Sequence, residues 1–247
     1  MAHYLIINTG GTIGMAETPS GLAPQPGLLK STLLSDDRLV AWQEHNLSWQ
    51  EWQPLIDSSD IRPGHWYELR DQIISADCDG VLIIHGTDTL AYSAAALSFL
   101  LAGTGKTVVI TGAMRPLIQA SSDGFGNLTL ALDILTRQQP EVFVAFNGRC
   151  LPASRVSKVD TAADSAFMTP NWSDSLWSQP PGTNSLELNR PWRPSALGVQ
   201  TLFPGMPMDG LMSMVDRNYR ALVLNTYGSG NVMTDSALER ILEKASD

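Results

Sequence analysis

Apolar positions along this chain fall into two alternating rhythms. Continuous runs at 4–7 (Tyr4, Leu5, Ile6, Ile7), 81–84, 108–111 and 142–146 are short and show no polar alternation. That is the pattern of strands buried on both faces. Between the runs the apolar residues are spaced by three and four. Pro63 opens a stretch carrying Trp66, Leu69 and Ile73; Leu90, Ala94, Leu97 and Leu101 line one face of a second. Leu128, Leu132 and Leu135 line a third, capped near Ser122 or Asp123. Strand and helix in alternation predict an α/β fold, an open and mostly parallel sheet flanked by helices on both faces.

The rhythm breaks at about 172. Pro180, Pro181, Pro191 and Pro194 sit among Ser, Asn and Trp, which is the composition of a linker. After it come a strand at 198–202, a helix at 208–215, a strand at 221–225 and a closing helix with Leu238, Ile241, Leu242 and Ala245 on one stripe. The expected organisation is an N-terminal α/β domain over 1–171, a linker over 172–196 and a small C-terminal α/β domain over 197–247. Two strands make a thin second domain. It reads as incomplete, either truncated or leaning on a partner.

Composition narrows the picture. The 247 residues are 43% hydrophobic and 17% charged, enough apolar material for a large core. A formal charge of -9 excludes nucleic acid as the expected partner, because phosphate binding needs clustered Lys and Arg. It gives no attraction to an anionic membrane surface either. The N-terminus has no basic segment and too short an apolar stretch for a signal peptide, and no run approaches a membrane span. Cys78 and Cys150 are too few for a disulfide framework and form no CxxC pair, so a reduced, cytoplasmic setting is expected.

In parallel sheets ligands bind beyond the carboxyl ends of the strands. Three predicted strands end in turns rich in glycine and hydroxyl: Asn8-Thr9-Gly10-Gly11-Thr12-Ile13-Gly14, His85-Gly86-Thr87-Asp88-Thr89 and Thr111-Gly112-Ala113-Met114-Arg115-Pro116. Thr12, behind paired glycines that bring backbone N–H groups close to a ligand, could be a nucleophile beside oxyanion donors. For a lone GGT, a tight turn whose threonine caps the next segment is the commoner reading. Neither G-x-x-x-x-G-K-[ST] nor a complete G-x-G-x-x-G is present, which removes a phosphate loop. Asp88 beside Thr87 could equally cap the following helix. His3, His45, His65 and His85 have no metal spacing and supply no evident triad member. A lysine could act as base, but reaching neutrality near pH 7 from about 10.4 takes ~3 units, or ~4 kcal/mol. Spacing alone leaves open which lysine.

Thr9-Gly10-Gly11-Thr12-Ile13-Gly14 followed by His85-Gly86-Thr87-Asp88-Thr89, each ending a strand, resembles the bacterial-type L-asparaginase family. Asp57-Ser58-Ser59-Asp60, Thr111-Gly112-Ala113-Met114-Arg115-Pro116, Ser122-Asp123-Gly124 with Asn127, and Arg155-Val156-Ser157-Lys158 extend the resemblance over essentially the whole chain. It implies hydrolysis of L-asparagine, with L-glutamine as a side substrate, through a threonine acyl-enzyme that uses no cofactor or metal. Thr12 would attack the amide carbon, while Thr87, Asp88 and Lys158 would manage protons. Asp88 would also bind the α-ammonium and Ser58 the α-carboxylate, with Ser59 a further substrate contact. The Ala113 carbonyl would accept from the leaving amide, and N–H groups near Gly11 and Thr87 would hold the oxyanion. Tyr227-Gly228-Ser229-Gly230-Asn231 resembles a loop that reaches a neighbouring subunit's site, which makes Asn231 a cross-subunit contact in a homodimer or homotetramer.

Two departures from the family stand out. Leu22 occupies the place of a tyrosine in the loop after the first turn, and the C-terminal domain is short. Both features favour a competing reading, an amino-acid-binding or regulatory protein without turnover. An ammonia-producing subunit of an amidotransferase is a third. Retention of Thr12, Thr87, Asp88 and Lys158 together favours the enzyme, since a binder needs no proton-handling lysine.

Overall fold

The four apolar runs become the centre of a six-stranded sheet in a computed structural model that describes residues 1–170, 191, 193–217 and 219–246. β1 (His3–Asn8) leads through a 3₁₀ turn, Thr12–Gly14, into a hairpin of β2 (Met15–Thr18) and β3 (Gly21–Pro24). α1 (Leu28–Ser35), a second 3₁₀ turn at Asp37–Leu39, α2 (Val40–Gln43) and β4 (Asn46–Glu51) follow. After the short turn Ser58–Asp60 the chain alternates through α3 (Pro63–Ser75), β5 (Gly80–Ile84), α4 (Leu90–Leu100), β6 (Thr107–Thr111), α5 (Gly124–Thr136) and β7 (Val142–Phe146). β8 (Arg149–Pro152) and the two-residue strands β9 (Ser157–Lys158) and β10 (Phe167–Met168) close this part.

The sheet order is β4-β1-β5-β6-β7-β8, parallel throughout except that β8 runs antiparallel to β7. Every residue of β5, β6 and β7 is buried, which explains their unbroken apolar runs. The two faces still separate by alternation. Leu5, Ile7, Val81, Ile83, Val108, Ile110 and Val144 pack with Leu69, Ile73, Leu90, Ala94 and Leu97 of α3 and α4. Tyr4, Ile6, Leu82, Ile84, Val109 and Phe143 pack with Leu29, Leu33, Leu128 and Leu132 of α1 and α5. Each such side chain, fully buried, contributes roughly 1.5–3 kcal/mol.

The expected helices on both faces are therefore present, and the parallel strands follow one another in a revealing order. From β1 the chain crosses outward to β4, then returns past β1 to β5 and continues to β6 and β7. The direction of winding reverses between β1 and β5. In open sheets that reversal opens a crevice beyond the strands' carboxyl ends. The turns holding Thr12 and Thr87 leave the two strands that flank it.

Several elements went unforeseen from the sequence. β4 is an edge strand in which Ser48 and Gln50 interrupt Leu47 and Trp49, so it lacks a continuous run. β8 is the second arm of a hairpin whose loop is Asn147-Gly148. Both loop residues have positive φ, 45° and 71°, the backbone that a two-residue hairpin turn requires.

The chain divides into two compact units, Met1–Arg190 and Pro191–Asp247. Of the expected linker, residues 172–190 and 192 lie outside the described residues, while 193–196 have no regular structure. In the second unit β11 (Leu197–Thr201) pairs in parallel with β12 (Ala221–Asn225). α6 (Asp209–Asp216) and α7 (Ser236–Ser246) supply its core, Leu211, Val215, Leu238 and Ile241. Among the described residues no helix is long and apolar enough to cross a membrane.

Candidate active site

The turn after β1 is built by local hydrogen bonding. Asn8 at the end of the strand donates from Nδ2 to Glu51 (2.9 Å) and accepts at Oδ1 from the Gly10 N–H (3.1 Å). Thr9 is tied by its N–H and its hydroxyl to the Ile84 carbonyl at the end of β5 (3.0 and 2.8 Å). The two strand ends are thus drawn together, and the residues that follow meet closely. Gly11 has φ 102°, and a Cβ there would lie 2.6 Å from the Gly86 nitrogen. A Cβ at Gly86 would lie 2.5 Å from Ser58 Oγ. Glycine at both positions is a condition for closing the site.

The outcome is a small open cleft lined by Gly11, Thr12, Met15, Asp57, Ser58, Gly86, Thr87 and Asp88. Five of the eight site residues expected in this unit, Gly11, Thr12, Ser58, Thr87 and Asp88, share its wall. Lys158 joins them from β9. Its Nζ donates to Thr87 Oγ1 (3.0 Å) and to Asp88 Oδ1 (2.7 Å). The lysine side chain is 13% exposed and the aspartate 66%, so the ammonium is sheltered while the carboxylate faces water. Asp88 does not cap α4, whose N-cap is Thr89. Thr89 instead donates its hydroxyl to the Ser58 carbonyl (2.6 Å), which holds the 57–60 turn against the end of β5.

Three expected site residues stand differently. Ser59 is exposed and turns its hydroxyl to Asp57 Oδ1 (2.8 Å). The cleft wall carries Asp57 in its place, a carboxylate that the sequence reading passed over. Hydrogen bonds from the Ser59 N–H and hydroxyl hold the Asp57 pKa below its ordinary value. Ala113 is buried just past β6, beside Gly112, where a Cβ would stand 3.7 Å from Thr87 Cγ2. Asp123 is the N-cap residue of α5, as expected, and Ser122 Oγ accepts from the Gly124 N–H (3.1 Å). The Asp123 carboxylate turns instead to the N–H groups of Met114 (2.9 Å) and Arg115 (3.0 Å) and so shapes the turn after Ala113. Asn231 belongs to the second unit, in a turn closed by paired backbone bonds with Tyr227 (2.8 and 3.0 Å). Leu22, which the family resemblance sets at a tyrosine position, is 47% exposed on β3, opposite Glu17.

Among the described residues no three His, Cys, Asp or Glu side chains converge as a metal site. His85 is 1% exposed, and burial holds its pKa below the ordinary 6.5. A histidine buried neutral adds stability that is complete above its unfolded pKa. That stability is lost as pH falls below 6.5, because the unfolded chain takes up the proton first. Urea unfolding should therefore show stability falling between about pH 7.5 and about pH 5.5, a slope that His85→Asn flattens. The Asp57 contribution is lost only as pH falls below 3.8 and leaves this window clear.

Comparison with known proteins agrees with this geometry. Residues 3–183 match the family described as Asparaginase, N-terminal. The chain is 35% identical over 253 residues to L-asparaginase 1 of Escherichia coli (strain K12), covering 97% of this chain and 75% of that protein. The crystal structure of L-asparaginase I from Vibrio cholerae superposes with a TM-score of 0.85 at 31% identity, over 99% of this chain and 78% of that one. The thermostable L-asparaginase from Thermococcus kodakarensis superposes with a TM-score of 0.79 at 28% identity, over 99% and 77%. With a matched profile over most of its length and a strand order that sets both threonine turns at one crevice, the chain belongs to the asparaginase family of amidohydrolases.

Proposed function

We propose that the chain hydrolyses the side-chain amide of L-asparagine, giving L-aspartate and ammonia through an acyl-enzyme on Thr12. The observation that carries this reading is the pair of bonds from Lys158 Nζ to Thr87 and Asp88, in the cleft that Thr12 lines. Thr12 Oγ forms a bond to the amide carbon, the C–N bond breaks, and the nitrogen leaves as ammonia carrying the proton the hydroxyl gave up. Water then adds to the ester carbon and releases Thr12. Thr87, Asp88 and Lys158 form the hydrogen-bonded group that relays these protons, with Thr87 orienting the water.

The remaining roles follow from charge. Asp88 Oδ2 has no protein partner among the described residues and takes the α-ammonium, while Ser58 takes the α-carboxylate. The N–H groups of Gly11 and Thr87 hold the oxyanion, and the Ala113 carbonyl accepts from the leaving amide. Asp57 adds a second carboxylate at the ammonium end, and the Ser59 hydroxyl acts through it. Asn231 completes a neighbouring copy's site in a homodimer or homotetramer. Two free thiols, Cys78 and Cys150, suit a reducing, cytoplasmic setting. L-Glutamine is one methylene longer, a difference a pocket discriminates by only ~1–3 kcal/mol, so slower turnover of it is part of this reading.

Leu22 favours a second reading, an amino-acid sensor without turnover, because a leucine neither donates nor accepts a hydrogen bond. Ammonia release from purified protein with L-asparagine, L-glutamine and D-asparagine separates the two. Steady turnover of L-asparagine is expected. A raised melting temperature with L-asparagine and no ammonia would hand the reading to the sensor.

A further inference from the structure

One buried polar group beside the cleft has no part in the chemistry above. His85 ends β5 with its ring inside the protein, and each ring nitrogen has one partner: Nδ1 lies 2.7 Å from the Gly86 carbonyl oxygen and Nε2 lies 2.8 Å from Ser93 Oγ on α4. The Trp66 indole N–H on α3 donates to the same Ser93 Oγ (2.9 Å). With the ring neutral, the form its burial favours, the protons in this chain have only one arrangement. A carbonyl cannot donate, so Nδ1 carries the hydrogen. An indole N–H cannot accept, so Ser93 receives it and sends its own hydrogen to Nε2. The tautomer of the neutral ring is thus fixed by its partners.

The carbonyl that His85 holds is one end of a peptide plane whose other end is the Thr87 N–H. In a planar trans peptide, fixing the direction of C=O fixes that of N–H. Gly86 is also packed so that a Cβ there would meet Ser58 Oγ. The unit is thus held by a hydrogen bond at its oxygen and by close packing at its α-carbon. The Thr87 N–H has no protein acceptor among the described residues, and Thr87 lines the cleft with Thr12.

We propose that His85, seated by Ser93 and Trp66, is a positioning residue that presets the Gly86–Thr87 peptide so that the Thr87 N–H meets the oxyanion formed when Thr12 attacks. This rests on the amidohydrolase reading and adds what orients its oxyanion donor. A donor already aimed at where charge develops needs no reorganisation during reaction. The contribution appears in the transition state and leaves ground-state binding of the amino acid untouched.

The test begins with wild-type ammonia release. Its absence would count against the amidohydrolase reading and this one together. With turnover established, His85→Leu should lower kcat by about three- to tenfold, the effect of one lost orienting hydrogen bond, with KM and the Kd for L-aspartate unchanged. His85→Asn, whose amide N–H stands near the place of Nδ1, should recover most of the loss. Ser93→Ala, which keeps the ring and its bond to the Gly86 carbonyl but removes the partner that seats Nε2, should lower kcat less than His85→Leu and in the same way. In the wild type, ¹⁵N spectra should show His85 neutral with Nδ1 protonated. An unchanged kcat in His85→Leu, equal losses in the Leu and Asn variants, a matching rise in Kd for L-aspartate, or an Nε2-protonated ring would each overturn the proposal.

Discussion

Thr12→Ala should leave a folded protein that releases ammonia from L-asparagine at least about 10³-fold more slowly than wild type, because the atom that forms the covalent bond is gone. The loss should fall on kcat. Ser58, Asp57 and Asp88, which the proposed mechanism assigns to the zwitterionic end of the substrate, remain in place, so the Kd for L-aspartate should stay within about twofold. Folding should be spared for a structural reason. The Thr12 hydroxyl has no protein partner among the described residues, and the turn is held by Asn8, Thr9 and the glycine packing. A melting curve that overlays wild type, beside an ammonia assay at background, is the expected pair of results. Activity near wild type would remove Thr12 from the mechanism and direct attention to Thr87, the other hydroxyl in the cleft.

Lys158→Met is the second large effect. Methionine keeps much of the side-chain length and all of the packing, and it removes the charge and three donors. Loss of a positioned proton-handling group costs about 10²–10⁴-fold, and it should again appear in kcat with KM little changed. Stability should barely respond. Asp88, released from the pair, is already 66% exposed and returns to water, and pairs of this kind contribute about 0–1 kcal/mol. A rise in KM at unchanged kcat would make Lys158 a substrate-binding residue, acting through the orientation of Asp88.

Which of these features could be read from the sequence follows from how local each one is. β5, β6 and β7 were legible because burial on both faces leaves nothing but apolar residues in Val81–Ile84 and its counterparts. β4 was not, because a strand with one neighbour tolerates Ser48 and Gln50. The Asn147-Gly148 turn was a readable hairpin signal that the alternating-element pattern overshadowed. Within the site, Thr12 and Thr87 stand in recognisable turns at strand ends. Lys158 was nameable only through family resemblance. It reaches Thr87 from 71 residues away in sequence, on a strand of two residues that no periodicity could reveal. Asp57 and Ser59 are adjacent, and only the folded turn decides which one lines the cleft. His85 has neither metal nor triad spacing in the sequence, because its partners are a carbonyl one residue away and a buried serine on the next helix.

The contact between Gly11 and Gly86 bears on any attempt to redesign the selectivity of this protein. Directed evolution of a pocket usually samples its lining evenly, but here the floor is backbone against backbone and offers no side chain to exchange. A side chain at Gly11 would collide with the Gly86 backbone and one at Gly86 with Ser58, so neither position has room for variation. Variation with a productive yield lies at Met15, a cleft-lining side chain that is only partly buried and holds neither strand end.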